Sequence, residues 1–405
     1  MADFEKVNDV AAGDIEKVND IAKSSIQNIN GVDTPSATAT VTTMVAGCDD
    51  GLISYVPIAD VATKATWQNN KYDAFSTGAA FQEIAAGKDG SGNTMYVGIL
   101  NSSNPEILFD DDSDITDGDT WGSINLGGSG QPAGNHRQRS VAWGNNVWVT
   151  IGMFSGSSKK LYRSTDGTNW SAIGLESLTD IAAAHTAIAD VGDNQGVYGL
   201  TTNGTGDWWF GYANKLYKST DNASSWSLHH TFTGQSNAYH IKDLAYTNNS
   251  LIALFHLTTS SDAVYVASAA NSDTTDWSTE VACVGNGSGQ TAVTISSYHY
   301  NNLAAAGGRV LVNDTGGTLA FDVNGKTIAK PAGTDGNYKT KAGSGNLNYV
   351  IGDGAGNWYT AQDGSGSNGH ICRSTDNGMT WTKIVDGFSG SLKAECICHN
   401  VPLPL

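Results

Sequence analysis

The chain has 405 residues, with Lys+Arg 22 against Asp+Glu 40 and a net charge of −18. An acidic chain with few arginines is repelled by phosphate backbones, which argues against a nucleic-acid partner. Charged residues are only 15% of the chain, glycines number 48, and 39% of residues are hydrophobic; this composition excludes global disorder and describes a β-protein with tight turns rather than a helical bundle.

The first 35 residues stand apart. DFEKVNDVAAG, DIEKVNDIAKS and SIQNINGVDTP are three copies of an 11-residue unit. Apolar residues recur at Phe4, Val7 and Val10, at Ile15, Val18 and Ile21, and at Ile26, Ile29 and Val32. Eleven residues in three turns keep such a stripe on one helix face. Gly13, Gly31 and the Asn-Asp pairs weaken a continuous helix, so short helical turns broken at each repeat fit as well. A nine-residue stripe needs a cover, either a partner protein or the flank of the following domain. Residues 1–36 are read as a docking arm and DTPSATAT as a linker, with residues 37–405 forming one domain. No run of about 18 apolar residues occurs, so no membrane insertion is expected. The first 20 residues also lack the basic and apolar regions of a secretory signal.

A second repeat fills the remainder. LYRSTDGTNW, LYKSTDNASSW and ICRSTDNGMTW share one template: an apolar residue, a basic residue, Ser-Thr-Asp, a short turn, then Trp. Weaker copies carry Asp117 with Trp121, Asp273 with Trp277, and Asp322 with Ile328 in the Trp place; Trp67 closes a degenerate first copy. The Trp-equivalent positions recur about every 52 residues, giving seven units. Each unit reads as four short strands: a small-apolar strand, a second strand after a turn, a third leading into Ser-Thr-Asp, and a fourth beginning at the Trp. That is the content of a propeller blade. The fold class is therefore an all-β, seven-bladed β-propeller of four-stranded antiparallel blades. LKAECICHN near the C-terminus reads as a first strand with no unit behind it, while the first unit begins with what resembles a second strand, VTTMVAG. Pairing the two ends would close the ring and remove both open edges.

The repeated motif resembles the Asp-box, or bacterial neuraminidase repeat, of sialidase-like and related β-propellers. Ser374, Asp376, Gly378 and Trp381 match it fully; Ser219, Asp221 and Trp226 carry Ala223 at the glycine; Ser164, Asp166 and Trp170 fit a shorter form. The resemblance implies outer hairpins fixed by Asp and Ser, away from the central pocket, and hence structural rather than catalytic carboxylates. A sialidase needs an arginine triad, and beyond Arg163 and Arg373 inside the boxes only Arg137, Arg139 and Arg309 remain.

Other features were weighed for chemistry. Asp110, Asp112 and Asp114 alternate as calcium ligands can, but Ile115 occupies the place of the EF-hand glycine, which favours a solvated acidic loop. DWWFGY offers rings for sugar stacking or for the core. Cys396, Cys398 and His399 suggest either a metal site or core packing. The first strands, with Ala85, Ala86, Ala142, Ala245, Ala304 and Ala305, are expected along the channel and supply no acid, base or nucleophile. No cofactor and no enzyme activity are expected.

The 11-residue units also resemble N-terminal segments of virion proteins from tailed bacteriophages. That resemblance implies a virion structural or binding protein, a decoration, fibre or tail-associated module assembled in the host cytoplasm. It would be held to other virion proteins by residues 1–36, with a host-surface glycan as a ligand. The rivals are a sialidase-like hydrolase and an intracellular assembly-factor propeller.

Overall fold

In the computed structural model, residues 42–401 are described apart from 63–66, 72–79, 101–105, 111–120, 127–137, 153–159, 176, 179–180, 182–196, 234–238, 258–262, 294–302, 343–345, 363–368 and 387–392, together with six two-residue strands between 6 and 33. The chain divides into two compact units, 1–41 and 42–405.

In the first unit each 11-residue copy forms the same antiparallel pair. Lys6–Val7 pairs Val10–Ala11, Lys17–Val18 pairs Ile21–Ala22, and Asn28–Ile29 pairs Val32–Asp33. The opposed residues are Val7 with Val10, Val18 with Ile21, and Ile29 with Val32. The helical expectation is thereby corrected. β-branched residues flanking an Asn-Asp or Asn-Gly dipeptide carry hairpin chemistry, and this local signal outweighs the 3.67-residue period. Phe4, Ile15 and Ile26 lie outside the described residues.

The second unit is a seven-bladed β-propeller built from seven antiparallel sheets. Blade 1 takes Ala394–His399 from the end of the chain as its innermost strand, followed by Thr43–Cys48, Leu52–Pro57 and Gln68–Lys71. Blades 2 to 7 begin with Phe81–Lys88, Gln138–Gly144, Val197–Thr202, Tyr239–Thr247, Leu303–Ala306 and Leu347–Gly352, and each runs outward in chain order. Neighbouring first strands touch in sequence around the ring, and Ala394–His399 lies between Leu347–Gly352 and Phe81–Lys88. The expected closure is therefore what holds the ring: His399 faces Met44 and Cys398 faces Val45 in the pairing register. The fit at the seam is close. A Cβ on Gly47 would lie 2.7 Å from both Cys396 Sγ and the Phe81 ring of blade 2.

The seven Trp-equivalent positions fall where the repeat put them, at or just before the fourth strands. Each of the later tryptophans wedges between its own blade and the preceding one. Trp170 packs with Met95, Val97 and Ile107 of blade 2, Trp226 against blades 3 and 4, Trp277 against blades 4 and 5, and Trp381 against blades 6 and 7. In blade 6 a buried Ile328 fills the same place. The apolar core thus lies between blades, where the two faces of every sheet are covered.

Two details depart from the sequence reading. Asp322 is not in a turn: it lies on the third strand, Gly317–Asn324, and pairs with Arg309 at 3.0 Å. Blade 6 also gains a fifth strand, Lys339–Thr340, paired to the start of that third strand.

Candidate functional site

The Ser-Thr-Asp hairpins join third to fourth strands on the outer part of the blades. In blade 7, Ser374 Oγ accepts from Gly378 N (2.9 Å) and donates to Asp376 Oδ1 (2.7 Å). Asp376 Oδ1 also accepts from the backbone of Met379 (3.1 Å) and Thr380 (2.8 Å), and its Oδ2 from Thr380 Oγ1 (2.6 Å). Ser219 and Asp221 repeat this cage around Ala223, Ser224 and Ser225. Ser164 and Asp166 repeat it around Gly167, Thr168 and Asn169. Asp273 makes a looser version, accepting from the Thr275 backbone and hydroxyl and from the Asp276 backbone. Burial works against ionisation of Asp166, yet the bonds from Asn169, Thr168 and Ser164 outweigh it and hold its carboxyl at about 2. Asp221 and Asp376 are lowered in the same balance. A carboxylate whose lone pairs are filled by its own turn is a poor acid, base or ligand for anything else.

Asp112, Asp114 and Asp117 lie outside the described residues. Asp110 ends the third strand of blade 2 and is buried, while Trp121 packs edge-on against Phe81. The sugar-stacking reading of DWWFGY is overturned: Trp208, Trp209, Phe210 and Tyr212 are all buried. Cys396 and Cys398 are buried free thiols, their pKa pushed well up by burial, which disfavours the thiolate a metal would need.

The concave site is the central channel, with a cavity volume of about 120 Å³ lined by residues of all seven first strands. That is room for several waters or one small molecule, far less than an oligosaccharide chain. Ala85, Ala86, Ala142, Ala245, Ala304 and Ala305 line it, as the small-residue pattern suggested. The same strands, beside these small residues, also bring titratable groups that the small-residue pattern did not indicate. Glu83, Asp243, Tyr349, Cys398 and His399 line the same space.

Their placement follows a feature shared by six blades. Each first strand skips one pairing: Phe81/Glu83, Gln138/Ser140, Tyr198/Leu200, Ile241/Asp243, Leu347/Tyr349 and Ala394/Cys396. Such a bulge turns the next side chain out of the pleat. The residues that resume pairing are Glu83, Ser140, Leu200, Asp243, Tyr349 and Cys396, so one structural position carries six different chemistries.

Two of these act as bolts between blades. Glu83 Oε2 accepts from Val141 N of blade 3 at 2.8 Å, and Asp243 Oδ2 accepts from Leu303 N of blade 6 at 3.0 Å. Glu83 Oε1 also accepts from the Tyr349 hydroxyl at 2.7 Å, a bond that passes blade 1 to tie blade 7 to blade 2. Burial pushes the Glu83 carboxyl up to about 7, against the lowering effect of the bonds from Tyr349, Val141 and Ser140. Burial, then the Glu83 charge, raise Tyr349 well above the usual phenol range, so it remains protonated. His399 is buried with Nε2 3.1 Å from Gly352 O, and burial lowers its pKa. The signal for Glu83, Asp243 and Tyr349 was present in their own first strands as a polar residue ahead of a small or apolar run. It was missed because the polar residue differs from blade to blade.

Three arginines are described with their side chains, and each has a partner outside the channel lining. Arg163 Nε donates to Asn222 O (2.8 Å), Arg373 to Asn357 Oδ1 (3.2 Å), and Arg309 pairs with Asp322. Among the described residues no group of three His, Cys, Asp or Glu side chains is placed to hold a metal ion.

No family model matches the chain, and no curated protein matches it. Solved structures resemble it in fold. The BP39L lectin of Burkholderia pseudomallei matches with TM-score 0.51 and 13% identity over 87% of this chain and 97% of the lectin. The β-propeller domain of Cps50 (Swd1) from Myceliophteria thermophila gives TM-score 0.47 at 9% identity over 79% of this chain and 90% of that one. A calcium-binding regucalcin of Agrobacterium tumefaciens gives 0.40 at 10% identity over 62% and 73%. At such identities the likeness is one of fold alone.

Proposed function

We propose that this is a non-enzymatic binding propeller of the Asp-box type, carried on the virion of a tailed bacteriophage. In this reading the N-terminal unit docks on other virion proteins, and the propeller is displayed toward a host-surface glycan. The observation that carries the non-enzymatic part is the state of the channel. Glu83 and Asp243 are occupied as acceptors for backbone N–H groups of the next blade, and the Tyr349 phenol bonded to Glu83 is held protonated. A hydrolase of the sialidase type needs cations for a substrate carboxylate, and the arginines described with side chains are engaged elsewhere. The docking part rests on the three equal hairpins, whose common register would present one surface three times to a partner.

The test is incorporation. Purified particles of the cognate phage should contain the full chain, and a chain lacking residues 1–36 should fold yet be absent from them. Full incorporation of the truncated chain would sink the docking reading. Recovery of the protein only in a cellular complex would favour the assembly-factor alternative. Turnover of a sialoside, abolished by Glu83→Gln, would favour the hydrolase.

A further inference from the structure

We propose that Glu83 and Tyr349 form a proton-operated switch that changes the hydrogen-bonding character of the channel wall. When Glu83 is ionised, both oxygens accept: Oε2 from Val141 N and Oε1 from the Tyr349 hydroxyl. Tyr349 is then a donor turned toward blade 2, and the channel presents a negative carboxylate. Protonation from solvent must place the new hydrogen on one oxygen. Val141 N–H is fixed in the backbone, so Oε2 has to remain its acceptor. We place the proton on Oε1, the oxygen that meets the Tyr349 hydroxyl, because Oε2 then stays the stronger acceptor for Val141 N–H and the Ser140 bond is left as it is; Oε1 becomes a donor. Tyr349 Oη turns into the acceptor of the same bond, and its own hydrogen rotates into the channel. One proton is gained, no covalent bond to carbon changes, and the bond between blades 7 and 2 reverses polarity without being lost.

The groups facing this pair come from each neighbouring blade. Asp243 of blade 5 raises Tyr349 through its carboxylate charge, and Cys396 and Cys398 of blade 1, themselves raised by burial and by the Glu83 charge, stand beside the pair as neutral thiols. From blade 3 comes Ser140, which bonds Glu83. The pH at which the pair titrates, about 7, places the switch between acidic and neutral media. A ligand in the channel would meet an anionic acceptor above that pH and a neutral O–H donor below it. Organic cations would be favoured in the first state and anions or neutral acceptors in the second.

The test is carboxyl-carbon NMR of Glu-labelled full-length protein titrated from pH 4.5 to 9. One carboxyl should titrate near 7, well apart from the other glutamates, and it should vanish in Glu83→Gln. Tyr349→Phe removes a donor that favours the ionised form, so that resonance should titrate at higher pH. A merely packed tyrosine would leave it unmoved. Thermal midpoints of the same variants show that each is folded. A Glu83 carboxyl titrating below 5, or one indifferent to Tyr349→Phe, would overturn the proposal.

Discussion

The outer hairpins and the inner strands of this propeller follow opposite rules. At the third-to-fourth turns, Asp166, Asp221 and Asp376 make nearly the same bonds in three blades. At the first-strand bulge the backbone device recurs while the side chain changes from Glu83 to Ser140 to Tyr349. Turns are solved locally, so the same residues solve them each time. The bulge positions of six blades converge toward one shared space, where six identical side chains would collide or repel one another. Repetition in this chain marks scaffold, and departure from repetition marks the place where the blades converge on one asymmetric pocket.

The comparison is broken most severely at the seam. Deleting residues 392–405 removes the inner strand of blade 1 and bares the edges of Thr43–Cys48 and its neighbours. The expected outcome is insoluble or non-cooperatively folded protein, read by circular dichroism and thermal melting. A deletion variant with a sharp wild-type transition would show that the ring closes without it.

Next in size are the fully buried second-strand tryptophans. Trp358→Ala in blade 7 should cost about 3–5 kcal/mol by denaturant titration, since the ring fills a cluster with Leu347, Leu311 and Val350. Asp376→Ala, in the outer hairpin of the same blade, should cost only about 1 kcal/mol, because the freed N–H groups lie at the surface and water replaces the carboxylate. If Asp376→Ala proved the worse of the two, the hairpins rather than the interblade core would be the main source of stability.

The two regions also respond to pH with opposite sign. Asp166 is held at about 2, below its ordinary value of 3.8, so its stabilisation is present above 3.8 and is lost as pH falls toward 2. Glu83 is raised to about 7 from 4.5, so its contribution is fully present below 4.5 and lost as pH rises through 7. The thermal midpoint should climb from pH 2 to about 4, then decline from about 4.5 to 7. Glu83→Gln should flatten the second limb and leave the first intact. The smallest expected effect is Asp273→Ala, a fully exposed carboxylate whose bonds to Thr275 and Asp276 water can replace, so its melting curve should nearly overlay that of the wild type.

Much of the scaffold was legible in advance. A period of about 52 residues with Trp67, Trp121, Trp170, Trp226, Trp277 and Trp381 in step defined the number of blades, and unmatched strand patterns at the two ends implied the closure that Ala394–His399 makes with Thr43–Cys48. These features are readable because a turn or a strand face depends on residues within ten positions of one another. The N-terminal units were misjudged for a related reason. Their apolar spacing suits a helix, but Asn-Asp between β-branched residues decides the matter over four residues, a shorter range than the period.

The sequence by itself determined how many blades there are, where their turns lie and which strands seal the ring. Only the tertiary structure decided that Glu83, Asp243 and Tyr349 share one channel and that Glu83 bonds a tyrosine 266 positions away in the chain. No local pattern encodes that meeting. It is produced by closing the ring, which brings the bulges of distant blades around a common axis and strips water from the carboxyl they surround.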